Sequence, residues 1–179
     1  FTAAENYQLV YGIDFEKEEN NAESRDQTGY YAEYLSTFSE DVFLTAGIRH
    51  DDNDDFGNHN SYRVSAAKLI DLAGGHTMKL RGAYGTGFRA PSPYEVGYNK
   101  GPYAYAPAST TSLKEETSKG HEFAVELFTQ TGSHFEVVYF DQRIEDAIYY
   151  DLATYSGYLQ DIGESRSNGV ELSARIPLH

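Results

Sequence analysis

From Tyr7 to Phe15 every odd position is apolar: Tyr7, Leu9, Tyr11, Ile13 and Phe15 alternate with Gln8, Val10, Gly12, Asp14 and Glu16. A period of two is the signature of a β-strand with one dry face and one mostly wet face. The length of the run constrains the fold further. About ten residues exceed the ~5–6 of an ordinary soluble strand and match the ~9–11 that a tilted strand needs to cross a bilayer. The pattern recurs at Val42–Ile48, Met78–Tyr84, Phe123–Leu127 and Val170–Ile176. Eight strands follow, near 6–17, 26–38, 42–52, 61–71, 77–87, 117–129, 133–149 and 157–176. Within the last, Glu164 and Arg166 stand on the parity that is apolar further on, and a bulge near Gly163 would restore the alternation.

The connections carry as much information as the strands. Residues 39–41, 72–76 and 130–132 read as tight turns, whereas 18–25, 53–60, 88–116 and 150–156 read as longer polar loops. Short and long alternate, so an up-and-down sheet places every tight turn at one end and every long loop at the other. That asymmetry belongs to outer-membrane β-barrels. A soluble β-sandwich binding module also alternates, but it has no reason to place Arg81, Glu122 and Glu171 with Gly169 on its wet face, as a polar lumen does. A complete small eight-stranded barrel, serving as anchor or adhesin, is a further reading. It needs a crowded interior, and Gly12, Gly47, Ala83 and Gly169 are small.

Composition narrows function. A formal net charge of −14 argues against nucleic acid, whose phosphates need a basic footprint. The chain lacks cysteine and any apolar run long enough for a transmembrane helix. Sixteen tyrosines with no tryptophan suit strands and wet–dry boundaries. The six histidines show no metal-ligand spacing and there is no nucleophile elbow, so the reading is not an enzyme.

The stretch "GTGFRAPSPYEV" loosely matches a dinucleotide-binding glycine loop at Gly85, Gly87 and Ala90. Such a loop must open a helix directly. Pro91 and Pro93 oppose one starting at Gly87, and the preceding strand alternates, unlike a buried parallel strand. The glycines instead thin the end of a strand that leads into a long loop.

Three segments in order, "LRGAYGTGFRAPSPYEV", "LKEETSKGHEF" and "DIGESRSNGVELSARI", resemble successive signatures of TonB-dependent outer-membrane receptors. The stretch "AGIRHDDNDDFG" is similar to another strand end of that family, although "TSLKEETS" lacks the Asn-Pro pair of the second signature. The resemblance implies an all-β, antiparallel up-and-down fold, with residues 1–179 as about eight consecutive strands of a barrel of about 22. No plug domain is present in the segment. It further implies a bacterial outer-membrane importer, embedded in outer-membrane lipid and driven by the TonB complex through that plug. The expected nutrient is cobalamin or a ferric siderophore. The segments "GIRHDDNDDFG" and "DIGESRSNGVELSAR" look most like the vitamin B12 receptor branch, and no histidine for haem lies in 92–113.

Candidate ligand-binding residues are Arg89, Tyr94, Tyr98, Tyr103, Tyr105 and Tyr155, whose rings could stack on a corrin or a catecholate. Their competing role is packing among themselves or marking the headgroup boundary. Arg49, Arg81 and Arg89 could meet an anionic ligand or pair with lumen acids such as Glu122 and Glu171. Asp51, Asp52, Asp54 and Asp55 form the best metal candidate, and calcium is the cation such carboxylates suit. The calcium-loop pattern breaks there, with Phe56 at its sixth position and Tyr62 at its twelfth, so a solvated acidic loop tip is the competing reading.

Overall fold

The computed structural model describes residues 6–20 and 23–177. In chain order the strands are β1 (Tyr7–Asn20), β2 (Glu23–Ser39), β3 (Val42–Asn53), β4 (Gly57–Leu72), β5 (His76–Arg89), β6 (Glu116–Phe128), β7 (His134–Glu145), β8 (Ile148–Tyr150), β9 (Tyr158–Gln160) and β10 (Glu164–Arg175). A helix, α1 (Pro93–Lys100), and a short 3₁₀ turn at Ala108–Thr110 lie between β5 and β6. Eight long strands form one antiparallel up-and-down sheet in the order β1-β2-β3-β4-β5-β6-β7-β10, while β8 and β9 pair only with each other. The long ladder is open, because β1 and β10 stand at opposite ends of it.

Register and parity divide the sheet into two chemically distinct faces. Tyr11 stands opposite Ala32, Ile48 opposite Tyr62, Leu80 opposite Val125, and Val137 opposite Leu172. This face is an apolar band whose side chains are exposed, Phe15 at 81% and Leu172 at 76%. A soluble sandwich would bury that face. Here the buried apolar residues are few: Ala124 and Val138 in the sheet, and Ala90, Ala108 and Leu113 in the loop structure. Exposed apolar area on this scale belongs against lipid. The opposite face carries the polar partners. Arg81 reaches Glu122, Glu126 at 3.2 Å and Glu136 at 2.7 Å, and Arg49 reaches Asp14 at 2.6 Å and Asp51 at 2.8 Å. The expected lumen pairing of arginine with acid is therefore present through Glu122, whereas Glu171 is not a partner of these arginines.

The sheet departs from the sequence reading at the loop end. Two connections expected to be long are hairpin extensions. The β1–β2 ladder continues to Asn20 opposite Glu23, and β3–β4 continues to Asn53 opposite Gly57. Beyond Phe15 both faces are polar (Lys17 and Glu19 on one, Glu16 and Glu18 on the other), so the strand continues without an apolar contrast to reveal it. The two longest expected strands are interrupted. β7 ends at Glu145, before Asp146 with φ 58°, and the second separates into β9 and β10. No bulge repairs the parity near Gly163, since Glu164 to Arg175 pair with β7 in unbroken register. Glu164 and Arg166 share a face with Val170 and Leu172 but lie beyond the apolar band. The register shift that does occur is at Thr37–Ser39, beside the β2–β3 turn.

Candidate functional site

The two real loops, 90–115 and 146–163, fold onto each other at one end of the sheet. Their shared foundation is Arg89, the last residue of β5. Its guanidinium takes Glu116, the first residue of β6, through two bonds of 2.8 Å, and Glu95 of α1 at 2.9 Å. Ser92 and Glu95 form a reciprocal capping box that starts α1, with Pro93 in its first turn. Burial works to raise the Glu95 pKa, but the bonds from Arg89 and Ser92 outweigh it and hold the carboxyl below its ordinary value. Pro91 is fully buried, and its carbonyl accepts a 2.6 Å bond from Arg25, itself buried and ion-paired to Glu18. The segment after the glycines is thus clamped from β2 and from β6.

The second loop locks against the first through polar groups far apart in sequence. The Asn99 side chain donates to the Tyr158 carbonyl at 2.8 Å and accepts from its N–H at 2.9 Å. Gln160 does the same for Lys114, donating to its carbonyl and accepting from its N–H, both at 2.8 Å. Gln160 also donates to the Asp146 carbonyl at 2.7 Å. Tyr105 donates its N–H to Ser156 at 3.2 Å and its hydroxyl to the Thr154 carbonyl. Asp151 closes its own turn, accepting from the N–H groups of Ala153 and Thr154 and from the hydroxyls of Thr154 and Ser156. Those donors, the hydroxyls first, hold its carboxyl far below the usual range.

Between the loops four tyrosines pack edge to face. Tyr98 lies 5.8 Å from Tyr150 and 5.7 Å from Tyr158, and Tyr94 lies 6.1 Å from Tyr158. The Tyr98 and Tyr150 hydroxyls are 3.0 Å apart, and that bond leads the causes that push the Tyr150 pKa up to about 12. At the same end of the sheet a cavity of about 380 Å³ opens on the polar face, lined by Arg25, Arg49 and Arg89 with Glu16, Glu18 and Asp51. Its size is within the range of small-molecule sites, roughly 300–1,000 Å³.

The six candidate ligand residues separate into distinct roles. Tyr94 and Tyr98 belong to the tyrosine cluster, Arg89 to the foundation beneath it, and Tyr105 to the seam between the loops. Tyr103 at 79% and Tyr155 at 63% exposure point to solvent, and Tyr155 holds φ 57°. The four acidic candidates are dispersed. Asp51 is 1% exposed on the polar face, bonded to Arg49 and Gln27, while Asp52 takes the opposite face by strand alternation. Asp54 and Asp55 lie in the turn, where Asn53 accepts the N–H of Asp55 and Phe56. Among the described residues no three carboxylate or imidazole groups gather as a metal site. The sequence reading missed Arg25, Asn99, Gln160 and Asp151. It also missed α1, whose Ser92-Pro-x-Glu95 signal is legible as a capping box.

A long-stranded sheet with a lipid-facing band, a charged inner face and two long loops together at one end is the wall of an outer-membrane barrel. The match to a family model confirms this: residues 2–178 match the model of the TonB dependent receptor-like β-barrel. The chain belongs to that family, whose place is the bacterial outer membrane. Solved structures agree in fold. The siderophore receptor PirA from Pseudomonas aeruginosa superimposes with a TM-score of 0.76 at 19% identity, over 97% of this chain and 37% of that one. A variant of the ferric enterobactin receptor PfeA of the same organism gives 0.72 at 18% identity, over 97% and 31%. The copper transporter OprC gives 0.68 at 17% identity, over 98% and 33%. The chain thus spans about a third of the length of these structures.

Proposed function

We propose that this chain is the ligand-contacting wall of a TonB-dependent importer that takes up a ferric siderophore. The observation that carries the reading is the arginine-lined cavity at the loop end of the polar face. Guanidinium groups give forked donors to the oxygens of an anionic chelate, and the exposed Tyr94, Tyr103 and Tyr155 rings offer flat apolar surface to its aromatic parts. Each arginine is already held by carboxylates, so an anionic ligand enters by exchange: it takes Arg89 while Glu95 and Glu116 are released to water. The siderophore receptors among the solved neighbours support this load. The barrel breaks no bond in its cargo. Release toward the periplasm is the work of a plug domain and its TonB partner, which lie outside this segment.

A cobalamin load is the second reading, favoured by the likeness of "GIRHDDNDDFG" and "DIGESRSNGVELSAR" to the vitamin B12 receptor branch. Calcium at the Asp51–Asp55 segment is a separate proposal, and it would require Asp51 to leave Arg49 and Asp52 to leave the opposite face. Titration of the full-length receptor with a ferric tricatecholate and with cyanocobalamin, each with and without calcium, tests both. Saturable binding of the ferric chelate, weakened by Arg89→Gln, supports the siderophore. Calcium-dependent binding of cyanocobalamin alone overturns it in favour of the second reading.

A further inference from the structure

The ladder between β4 and β5 stops short of the loop end. β3 and β4 stay paired up to Asn53 opposite Gly57, and β5 and β6 up to Arg89 opposite Glu116. Between β4 and β5 the last pair is Arg63 opposite Gly85. Beyond it, residues 57–62 and 86–89 remain strands but face each other without a ladder. In place of a ladder bond, the Tyr62 N–H donates to the Thr86 hydroxyl at 3.0 Å. The alternation of strand hydrogen bonds turns the backbone groups of Asn58 and Asn60 toward the same gap, and those of Phe88 toward it from the other rim. The loop end of the wall is therefore two leaves, β1–β4 on one side and β5–β7 with β10 on the other. Side chains tie the leaves there: Arg25 to the Pro91 carbonyl at 2.6 Å, Lys100 to Glu23 at 2.9 Å, and His59.

His59 fills this gap. It stands opposite Asp51, so its parity is that of the polar face, whereas Phe88, opposite Thr117, has the parity of the lipid-facing side. In a closed ladder residues of opposite parity point to opposite faces. Here the His59 and Phe88 rings stack with centroids 4.1 Å apart, and the His59 Nδ1 lies 3.4 Å from Glu115 Oε2. The other oxygen of Glu115 is buried without a hydrogen-bond partner. An orphaned carboxylate oxygen costs free energy that hydration relieves, so the closed seam carries its own reason to open. The seam also runs through the wall of the arginine-lined cavity. Arg49, Asp51 and Ser61 come to that cavity from one leaf, and Gly87, Phe88 and Arg89 from the other. A second hollow of about 200 Å³ lies against His59, Tyr62 and Thr86, and Gly87 lines both. We propose that the seam is a hinge in the barrel wall, clasped by His59 between Phe88 and Glu115, and that its opening sets the width of the arginine-lined cavity. The inference is independent of which nutrient the receptor carries.

The test is hydrogen exchange followed by mass spectrometry on the full-length receptor in detergent micelles, with no nutrient added. His59→Ala removes the clasp and is expected to raise exchange roughly tenfold on both rims, 57–62 and 86–89, while 64–71 of the same β4 stays as in the wild type. His59→Phe keeps the stack and loses the Glu115 contact, and its effect should fall between the two. Faster exchange at 57–62 alone would mark local packing of the hairpin and overturns the hinge, as does unchanged exchange on both rims. Cavity width is read separately, as the distance between spin labels at Ser61→Cys and Ser118→Cys. These positions lie on the polar face of the two leaves, opposite Arg49 and Gly87. His59→Ala should shift that distance distribution to longer values, and an unchanged distribution overturns the link between seam and cavity. Heat-modifiable gel mobility reports whether the barrel is folded. If His59→Ala fails that control, Glu115→Gln, which leaves the stacked rings in place, is read instead, with a smaller rise on both rims expected and no rise overturning the proposal.

Discussion

Asn99→Leu should uncouple the two loops while leaving the barrel wall intact. Asn99 is 7% exposed and serves both the donor and the acceptor of one residue, Tyr158, 59 positions away. Leucine is of similar size but offers neither group, so the Tyr158 N–H and C=O lose their partners in the closed cap. An orphaned buried group costs about 1–3 kcal/mol. Tyr158 is half-buried, which favours the lower end for each. The cap should therefore lose about 2–4 kcal/mol, a roughly 30- to 700-fold rise in its open population. Hydrogen exchange followed by mass spectrometry on the full-length receptor reads this as faster exchange across 147–162, with peptides of β6 as the internal reference. Asn99→Asp keeps the acceptor and loses the donor, and its effect should fall between wild type and Asn99→Leu. Unchanged exchange in 147–162 for Asn99→Leu would refute the reasoning, because the side-chain bridge would then not hold the loops together.

Gly157→Ala should loosen the same seam by a different route: φ is 138°, and the new Cβ would lie 2.7 Å from the Asn99 Oδ1 and 2.9 Å from the Ala108 Cβ. Strain of about 1–3 kcal/mol is expected, visible as faster exchange in the peptides around both Asn99 and Tyr158. Arg25→Gln should free the segment after β5, since a charged donor to the Pro91 carbonyl is lost at a cost of about 2 kcal/mol; exchange at 90–96 should rise while 147–162 changes less. Asp151 gives a pH test. Its folded pKa lies below the unfolded value, so its contribution is complete above the ordinary carboxylate range and is lost as pH falls from there toward the depressed folded value. Near-ultraviolet circular dichroism of the tyrosine cluster should show the wild-type cap melting in that acid window, with Asp151→Asn already loosened at neutral pH and flatter through it. For Tyr150 the sign is opposite: a folded pKa of about 12 means stability present below the ordinary phenol value and lost as pH rises through about 12, a loss that Tyr98→Phe should diminish.

What the sequence discloses here follows from where water lies. Within the membrane one face of each strand meets lipid and the other meets a wet lumen, so the alternation from Tyr7 to Phe15 declares the strand, its face and its length together. Above the membrane both faces are wet. The same strand then continues through Lys17, Glu18 and Glu19 with no contrast, and a ladder reads as a loop. The same boundary explains Glu164 and Arg166: their parity is that of Val170, and what changes is the medium they face. The loop cap is hidden for another reason. Its bonds join Asn99 to Tyr158 and Gln160 to Lys114, pairs with no periodic relation, so only the folded chain brings them together. Ser92 and Glu95 are the exception, because a capping box is local and can be read from four residues. The acidic run at 51–55 shows the converse. Its carboxylates are dense in sequence, yet strand alternation sends Asp51 inward to Arg49 and Asp52 outward. Charge density in a barrel sequence therefore acquires meaning only once each residue is assigned to lumen or lipid.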